Sequence, residues 1–125
     1  MYSKIALSIG GSDSGGGAGI QADLRTFMAL KVHGCSVITC ITAQNSVEVT
    51  CVEAVEKNTL LSQLDALFDD FGIDALKTGM LLNERIITYS DESFEKLANS
   101  LENLIEINKE TYDINQAKYL YRRAM

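Results

Sequence analysis

Apolar and polar positions follow two periods along the first 80 residues of the chain. An apolar run at residues 4–10, ended by glycine, predicts a buried strand. Residues 35–43 are nearly all apolar and rich in β-branched side chains, which predicts a central strand covered on both faces. Between these runs, apolar residues at helical spacing predict a helix near residues 18–31, with one apolar face formed by Ile20, Leu24, Phe27 and Met28.

The alternation continues towards residue 80. Residues 49–55 and 73–79 predict a third and a fourth strand. Between them, Asn58 or Thr59 is expected to cap a second helix that ends at Gly72. The inward face of this helix is predicted to carry Leu60, Leu61, Leu64, Leu67, Phe68 and Phe71. Strands that alternate with helices indicate an α/β fold with a parallel sheet and right-handed crossovers.

Three segments follow predicted strands, at residues 10–19, 42–45 and 78–80. In open parallel sheets, ligands bind beyond the carboxyl ends of the strands. We therefore expect these three segments to lie on one rim of the sheet and to form a ligand site.

The pattern changes near residue 81. Residues 1–80 contain all nine glycines and 14 charged residues, whereas residues 81–125 contain 14 charged residues and no glycine. Ser90 or Asp91 is expected to cap a helix there, and a short second helix is expected near residues 114–123. The first tail helix would bury Phe94, Leu97, Leu101, Leu104 and Ile105. We predict an α/β part at residues 1–80 and a charged amphipathic helical tail at residues 81–125.

Charge and cysteine usage exclude several classes of partner. The net charge of −6 is unsuited to a nucleic-acid or anionic membrane surface, and no apolar run is long enough to span a membrane. Cys35, Cys40 and Cys51 lack metal-ligand spacing, so we predict no metal site and three reduced, mostly buried thiols. Together with the lack of a signal-peptide pattern, this predicts a cytoplasmic protein.

The stretch "SIGGSDSGGGAGIQADL" places six of the nine glycines within residues 10–19. It contains no Walker sequence. "GAGIQA" fits the dinucleotide-binding turn weakly, because the acid expected about 20 residues later, at the end of the second strand, is missing. Glycines that simply make a tight turn are another interpretation. Bare backbone at a strand-to-helix junction favours a third one, the close approach of a ligand.

Three motifs carry a family resemblance: "GGSDSGGGAGIQAD", "TAQN" and "KTGM". With the residues between them, they resemble the amino-terminal third of hydroxymethylpyrimidine and phosphomethylpyrimidine kinases. These enzymes belong to the ribokinase-like superfamily and act in thiamine synthesis. The resemblance covers residues 4–80 and implies part of a ribokinase-like parallel sheet with flanking helices.

The resemblance also implies a binding site for a flat aminopyrimidine ring. Gly11 would offer bare backbone at the ring, Met80 an apolar wall and Thr42 backbone contacts. Asp23 matches the family's acid at the ring. Gln44 would pair through its amide with the N–C–NH2 edge, since this side chain both donates and accepts.

The residues alone leave other interpretations open. Asp23 could simply favour the helix dipole, Gln44 could belong to an ordinary loop, and Met80 could fill the core. Lys77, within a predicted strand, has no assigned role.

The resemblance implies ATP and Mg2+ as cofactors and a homodimer as the assembly. However, the family's nucleotide loops and its Gly-rich anion hole, with the catalytic base, have no counterpart in residues 81–125. The catalytic residue is therefore unknown, and the resemblance implies a truncated or frame-shifted product of such an enzyme, or one part of it. We consider a pyrimidine kinase, a pyridoxine or pyridoxal kinase, and a non-catalytic pyrimidine-binding module.

Overall fold

A computed structural model of the chain describes residues 4–83, which lie within one compact unit. The predicted tail helices lie outside the described residues. The described part contains the following elements in chain order: β1 (Ile5–Gly10), α1 (Gly19–Ala29), β2 (His33–Ile38), β3 (Cys40–Gln44), β4 (Val49–Ala54), α2 (Lys57–Asp70) and β5 (Ala75–Thr78).

β1 is the middle strand of a parallel sheet with the order β2-β1-β5. Leu7 and Ile9 are 0% and 1% exposed, as expected for a strand with neighbours on both sides. The predicted α/β fold, its parallel sheet and the buried first strand are confirmed.

The predicted single strand at residues 35–43 is wrong. Thr39 divides it into β2 and β3, and β3 pairs antiparallel with β4 in a separate two-stranded sheet. Thr39 is held at this bend because its N–H donates to Gly10 O (3.0 Å) and its Oγ1 donates to Met80 O (2.7 Å). β3 alternates between buried and exposed positions, so only one of its faces is covered. We call this pair of strands the β3–β4 hairpin.

α1 packs closely against β2. A Cβ atom at Gly34 would lie 2.8 Å from Leu24 Cδ2 and 3.0 Å from Phe27 Cδ2, so the helix approaches where β2 has no side chain. Ile20 is buried, but the predicted inward position of Met28 is wrong, since Met28 is 63% exposed. At about 100° per residue, Met28 lies about 80° around the helix from Ile20 and leaves the buried face.

α2 begins at Lys57, so neither Asn58 nor Thr59 is its N-cap, and it ends at Asp70, just before the predicted stop. The N-cap residue is Glu56, which makes no side-chain capping bond. Leu60 and Leu64 are buried, whereas the other four predicted inward side chains are only half-buried: Leu61, Leu67, Phe68 and Phe71. The helix is therefore held by packing of one narrow apolar stripe rather than by a capping side chain.

Candidate substrate-binding site

Three chain segments meet beyond the carboxyl end of β1. Gly79 N–H donates to Ile9 O (2.7 Å), which joins the segment after β5 to the end of β1. Ser12 N–H donates to Cys40 O (2.9 Å), which joins the segment after β1 to the β3–β4 hairpin. The predicted common rim is therefore confirmed, although the hairpin reaches it from outside the parallel sheet.

Gly11 lies at the centre of this meeting point and is buried. A Cβ atom at Gly11 would lie 2.8 Å from Cys40 Sγ and 2.9 Å from Met80 Cε. Real side chains almost never come so close, so only glycine fits without displacing one of the two sulfur-containing side chains. Met80 is 48% exposed and offers an apolar thioether surface beside Gly11.

Thr42 and Gln44 lie on β3, which is bonded to the residues that follow Gly11. Thr42 is buried; its Oγ1 donates to Ser12 O (2.8 Å), and its N–H donates to Ser12 Oγ (3.0 Å). Gln44 is half-buried, with Oε1 3.5 Å from Thr42 Oγ1. The structure thus places the predicted residues in two contacting pairs, Gly11 with Met80 and Thr42 with Gln44, and Ser12, the neighbour of Gly11, joins the pairs through its bonds to Thr42.

Asp23 makes its hydrogen bonds elsewhere on the sheet. Its Oδ2 accepts from Ser8 Oγ (2.6 Å) in the middle of β1 and from Lys77 Nζ (2.5 Å) on β5. Burial raises the pKa of the Asp23 carboxyl, but the hydrogen bonds from Lys77 and Ser8 and the charge of Lys77 lower it by more, to below its ordinary value. Lys77, which the sequence left without a role, is thus the ion-pair partner of Asp23.

Residues 10–19 form a loop, here called the glycine loop, that is organised around a buried carboxylate. Asp13 Oδ1 accepts from Gly15 N–H (2.8 Å), and Asp13 Oδ2 accepts from Ala18 N–H (2.7 Å). Burial raises the pKa of the Asp13 carboxyl, but the backbone N–H groups of Ala18 and the loop glycines lower it by more. Asp13 N–H donates in turn to Gln21 Oε1 (2.8 Å), which ties the loop to α1.

The role of Asp13 was missed in the sequence, although an acid two residues before a run of glycines is a signal for such a turn. Its carboxylate binds Ala18 N–H, directly before the start of α1, where a phosphate would otherwise bind. The residues of this loop therefore do not fit a nucleotide phosphate, and the weak dinucleotide interpretation is not supported by the geometry.

Cys35 and Cys40 are buried free thiols, as expected, whereas Cys51 is exposed. Within residues 4–83, no cluster of His, Cys, Asp or Glu is suited to hold a metal ion. The helices of that same part are too short or too polar to cross a membrane.

The comparisons with known proteins match the part of the chain that contains these segments. The family model for phosphomethylpyrimidine kinase matches residues 13–105. The chain belongs to the phosphomethylpyrimidine kinase family. The match extends past residue 80, where the sequence predicts a boundary between two parts; that boundary stays a prediction.

Individual relatives agree with the family match. The chain is 60% identical, over 70% of its length, to a hydroxymethylpyrimidine/phosphomethylpyrimidine kinase of Synechococcus elongatus, and it covers 33% of that relative. It resembles the crystal structure of a phosphomethylpyrimidine kinase from Clostridium difficile with a TM-score of 0.73 and 47% identity, covering 74% of this chain and 40% of the other. A Staphylococcus aureus pyridoxal kinase in complex with AMP-PCP and pyridoxal has a TM-score of 0.66 and 37% identity, covering 74% of this chain and 35% of the other. The chain thus spans about a third of the curated relative's length.

Proposed function

We propose that this chain carries the ring-binding part of a hydroxymethylpyrimidine/phosphomethylpyrimidine kinase of thiamine biosynthesis. The whole enzyme would transfer the ATP γ-phosphate to the hydroxymethyl oxygen of 4-amino-5-hydroxymethyl-2-methylpyrimidine, or to its monophosphate. The observation that carries the proposal is the arrangement around Gly11. The bare backbone of Gly11 lies beside the thioether of Met80, and the glycine loop is bonded through Ser12 and Ser14 to the strand that carries the Gln44 carboxamide.

Each of these groups suits a flat aminopyrimidine. Gly11 has no side chain to hold the ring away from the backbone, and Met80 offers a polarizable surface to an aromatic face. The amide of Gln44 donates and accepts at once, which matches a ring nitrogen beside an amino group. Thr42, whose hydroxyl and N–H are both bonded to Ser12, would hold the backbone around Gln44 in place.

Asp23 has one carboxylate oxygen that could accept a hydrogen bond from the substrate. Its Oδ2 already accepts two hydrogen bonds, and Oδ1 has no hydrogen-bond partner among residues 4–83. We propose that the ionised carboxylate offers this second oxygen to the substrate. A low pKa suits that role, because an ionised carboxylate is an acceptor at every site.

The Asp13 carboxylate occupies the glycine loop, and residues 81–125 contain no glycine with which to form the family's Gly-rich anion hole. We therefore expect the 125-residue chain to bind the pyrimidine without turning it over. Pyridoxine or pyridoxal as the substrate is a second candidate, supported by the likeness to the Staphylococcus aureus pyridoxal kinase. A module that binds the pyrimidine without any catalytic role is a third.

Calorimetric titration of the chain with the aminopyrimidine and with pyridoxal separates the first candidate from the second, and a product assay with Mg-ATP tests for turnover. We expect binding of the aminopyrimidine, weaker binding of pyridoxal, and no phosphorylated product. Gln44→Ala should weaken binding at least about tenfold, since it removes two hydrogen bonds to the ring. Asn58→Ala is the matched control, because it removes an exposed carboxamide on α2.

Tighter binding of pyridoxal than of the aminopyrimidine would favour the second candidate. Phosphorylation at an ordinary enzyme rate would refute the expected lack of turnover. If Gln44→Ala and Asn58→Ala bind the ring equally well, the assignment of Gln44 is wrong.

A further inference from the structure

Two serine side chains join the glycine loop to the free edge of β3. Ser12 Oγ accepts from Thr42 N–H (3.0 Å), while Ser12 O accepts from Thr42 Oγ1 (2.8 Å). Two residues further along both segments, Ser14 Oγ donates to Gln44 O (2.5 Å) and accepts from Gln44 N–H (2.7 Å). The loop thus runs beside β3 like a third strand, with hydroxyl groups in place of part of the backbone ladder.

The bonds of Ser14 fall where the hairpin itself is irregular. The register between β3 and β4 shifts between Ala43 and Gln44, so the regular ladder is interrupted next to Gln44. Gly15 also packs there, since a Cβ atom on it would lie 3.3 Å from Gln44 O and 3.3 Å from Asn45 Cα. A two-stranded hairpin is marginally stable by itself, so support from the loop has a large effect on its backbone.

We propose that Ser14 is a positioning residue that fixes the Gln44 backbone, so that the carboxamide of Gln44 is oriented before the ring binds. The Ser14 hydroxyl binds both the N–H and the carbonyl oxygen of Gln44. When the ring binds, only the side-chain torsions of Gln44 then have to become ordered. A site ordered in advance binds more tightly, because less conformational entropy is lost on binding. The inference rests on the proposed function, in which Gln44 pairs with the ring.

The test is a double-mutant cycle in the 125-residue chain, with 4-amino-5-hydroxymethyl-2-methylpyrimidine as the titrated probe. Ser14→Ala should weaken binding about tenfold, since it removes both hydrogen bonds to the Gln44 backbone. In a Gln44→Ala background the same change should have little effect, because the group that Ser14 orients is gone. Ser14→Thr keeps the hydroxyl and should restore most of the affinity, and Ser62→Ala, exposed on α2, is the control.

Backbone hydrogen exchange measured by NMR on the ligand-free chain supplies a second readout. The Gln44 N–H should exchange faster in Ser14→Ala than in the wild type, while the amides of β1 should not change. Binding and exchange in Ser14→Ala equal to those of the wild type would overturn the inference. Equal effects of Ser14→Ala with and without Gln44 would also overturn it, since Ser14 would then act on the fold as a whole.

Failure of the proposed function gives a different result. In that case the wild-type chain does not bind the aminopyrimidine at all. Faster exchange at Gln44 in Ser14→Ala would still support the positioning of its backbone, and unchanged exchange would reject it.

Discussion

Gly19 is the position where the fold most strictly requires glycine, and replacing it with alanine tests the geometry of the glycine loop. Its φ is +60°, in the left-handed region. A Cβ atom there would lie 2.6 Å from Gly11 O and 3.0 Å from Asp13 N. Both are backbone atoms, so neither can rotate away as a flexible side chain would. Gly11 O also accepts from Ile20 N–H (3.1 Å), so displacing it disturbs the start of α1.

The expected loss of stability is the sum of three effects. The left-handed conformation costs an alanine about 1–2 kcal/mol. Forcing a methyl group into a packed region costs about 1–3 kcal/mol more. The alanine also restricts the unfolded chain, which offsets about 0.4–1 kcal/mol of this loss. We therefore expect Gly19→Ala to lower the free energy of unfolding by about 2–4 kcal/mol.

Urea unfolding followed by circular dichroism measures this difference. Gly72→Ala is the matched control, because no heavy atom lies within 4 Å of the added Cβ and the backbone there is not left-handed. The control should be neutral or more stable by about 0.4–1 kcal/mol. If the two variants unfold at the same urea concentration, the close approach of Gly19 to the Gly11 carbonyl is wrong.

Three further predictions concern polar contacts. The pKa of Asp13 lies below its ordinary value of 3.8, so the carboxylate stabilises the fold above that pH, and this effect disappears as the pH falls through the folded pKa. Asp13→Asn should therefore be less stable than the wild type at pH 7. The difference in free energy of unfolding between the two, measured in urea, should shrink below about pH 4. Both ends of the Gln63 amide bind β2: Oε1 accepts from Ile38 N–H (2.9 Å), and Nε2 donates to Ile38 O (3.1 Å). Gln63→Ala should therefore lower the free energy of unfolding by about 1–3 kcal/mol in the same assay. A loss below a few tenths of a kcal/mol would contradict this pairing. Lys77→Met removes the cation beside Asp23, so NMR titration should show a higher pKa for the Asp23 carboxyl. The free energy of unfolding at neutral pH should fall by about 1 kcal/mol. An unchanged pKa of Asp23 would reject the ion pair.

Much of the α/β framework could be predicted from local patterns. The apolar run that forms β1 has almost the predicted bounds, and α1 follows the expected helical spacing. The end of β1 and the segment after β5 could be placed on one rim, since parallel strands end at the same edge of a sheet. β3 reaches the same rim as part of an antiparallel hairpin, which the sequence did not predict. Gly11 and Met80 lie side by side there.

The errors arose where one local pattern suits two structures. A β-branched run is equally suited to one long strand and to two short ones separated by a bend. Thr39 forms the bend because its hydrogen-bond partners, Gly10 and Met80, lie 29 and 41 residues away. Asp13 was overlooked for a different reason: the glycines around it suggested room for a ligand, whereas their N–H groups bind a carboxylate of the chain itself.

The sequence by itself determined the two helices, the buried first strand and the need for bare backbone after it, because periodicity and glycine spacing act over a few residues. The tertiary structure decided which groups those segments bind. Asp23 pairs with a lysine 54 residues away, and the Gln44 backbone is held by a serine 30 residues away. Such partners are chosen by packing between distant segments, and no pattern within either segment contains that information.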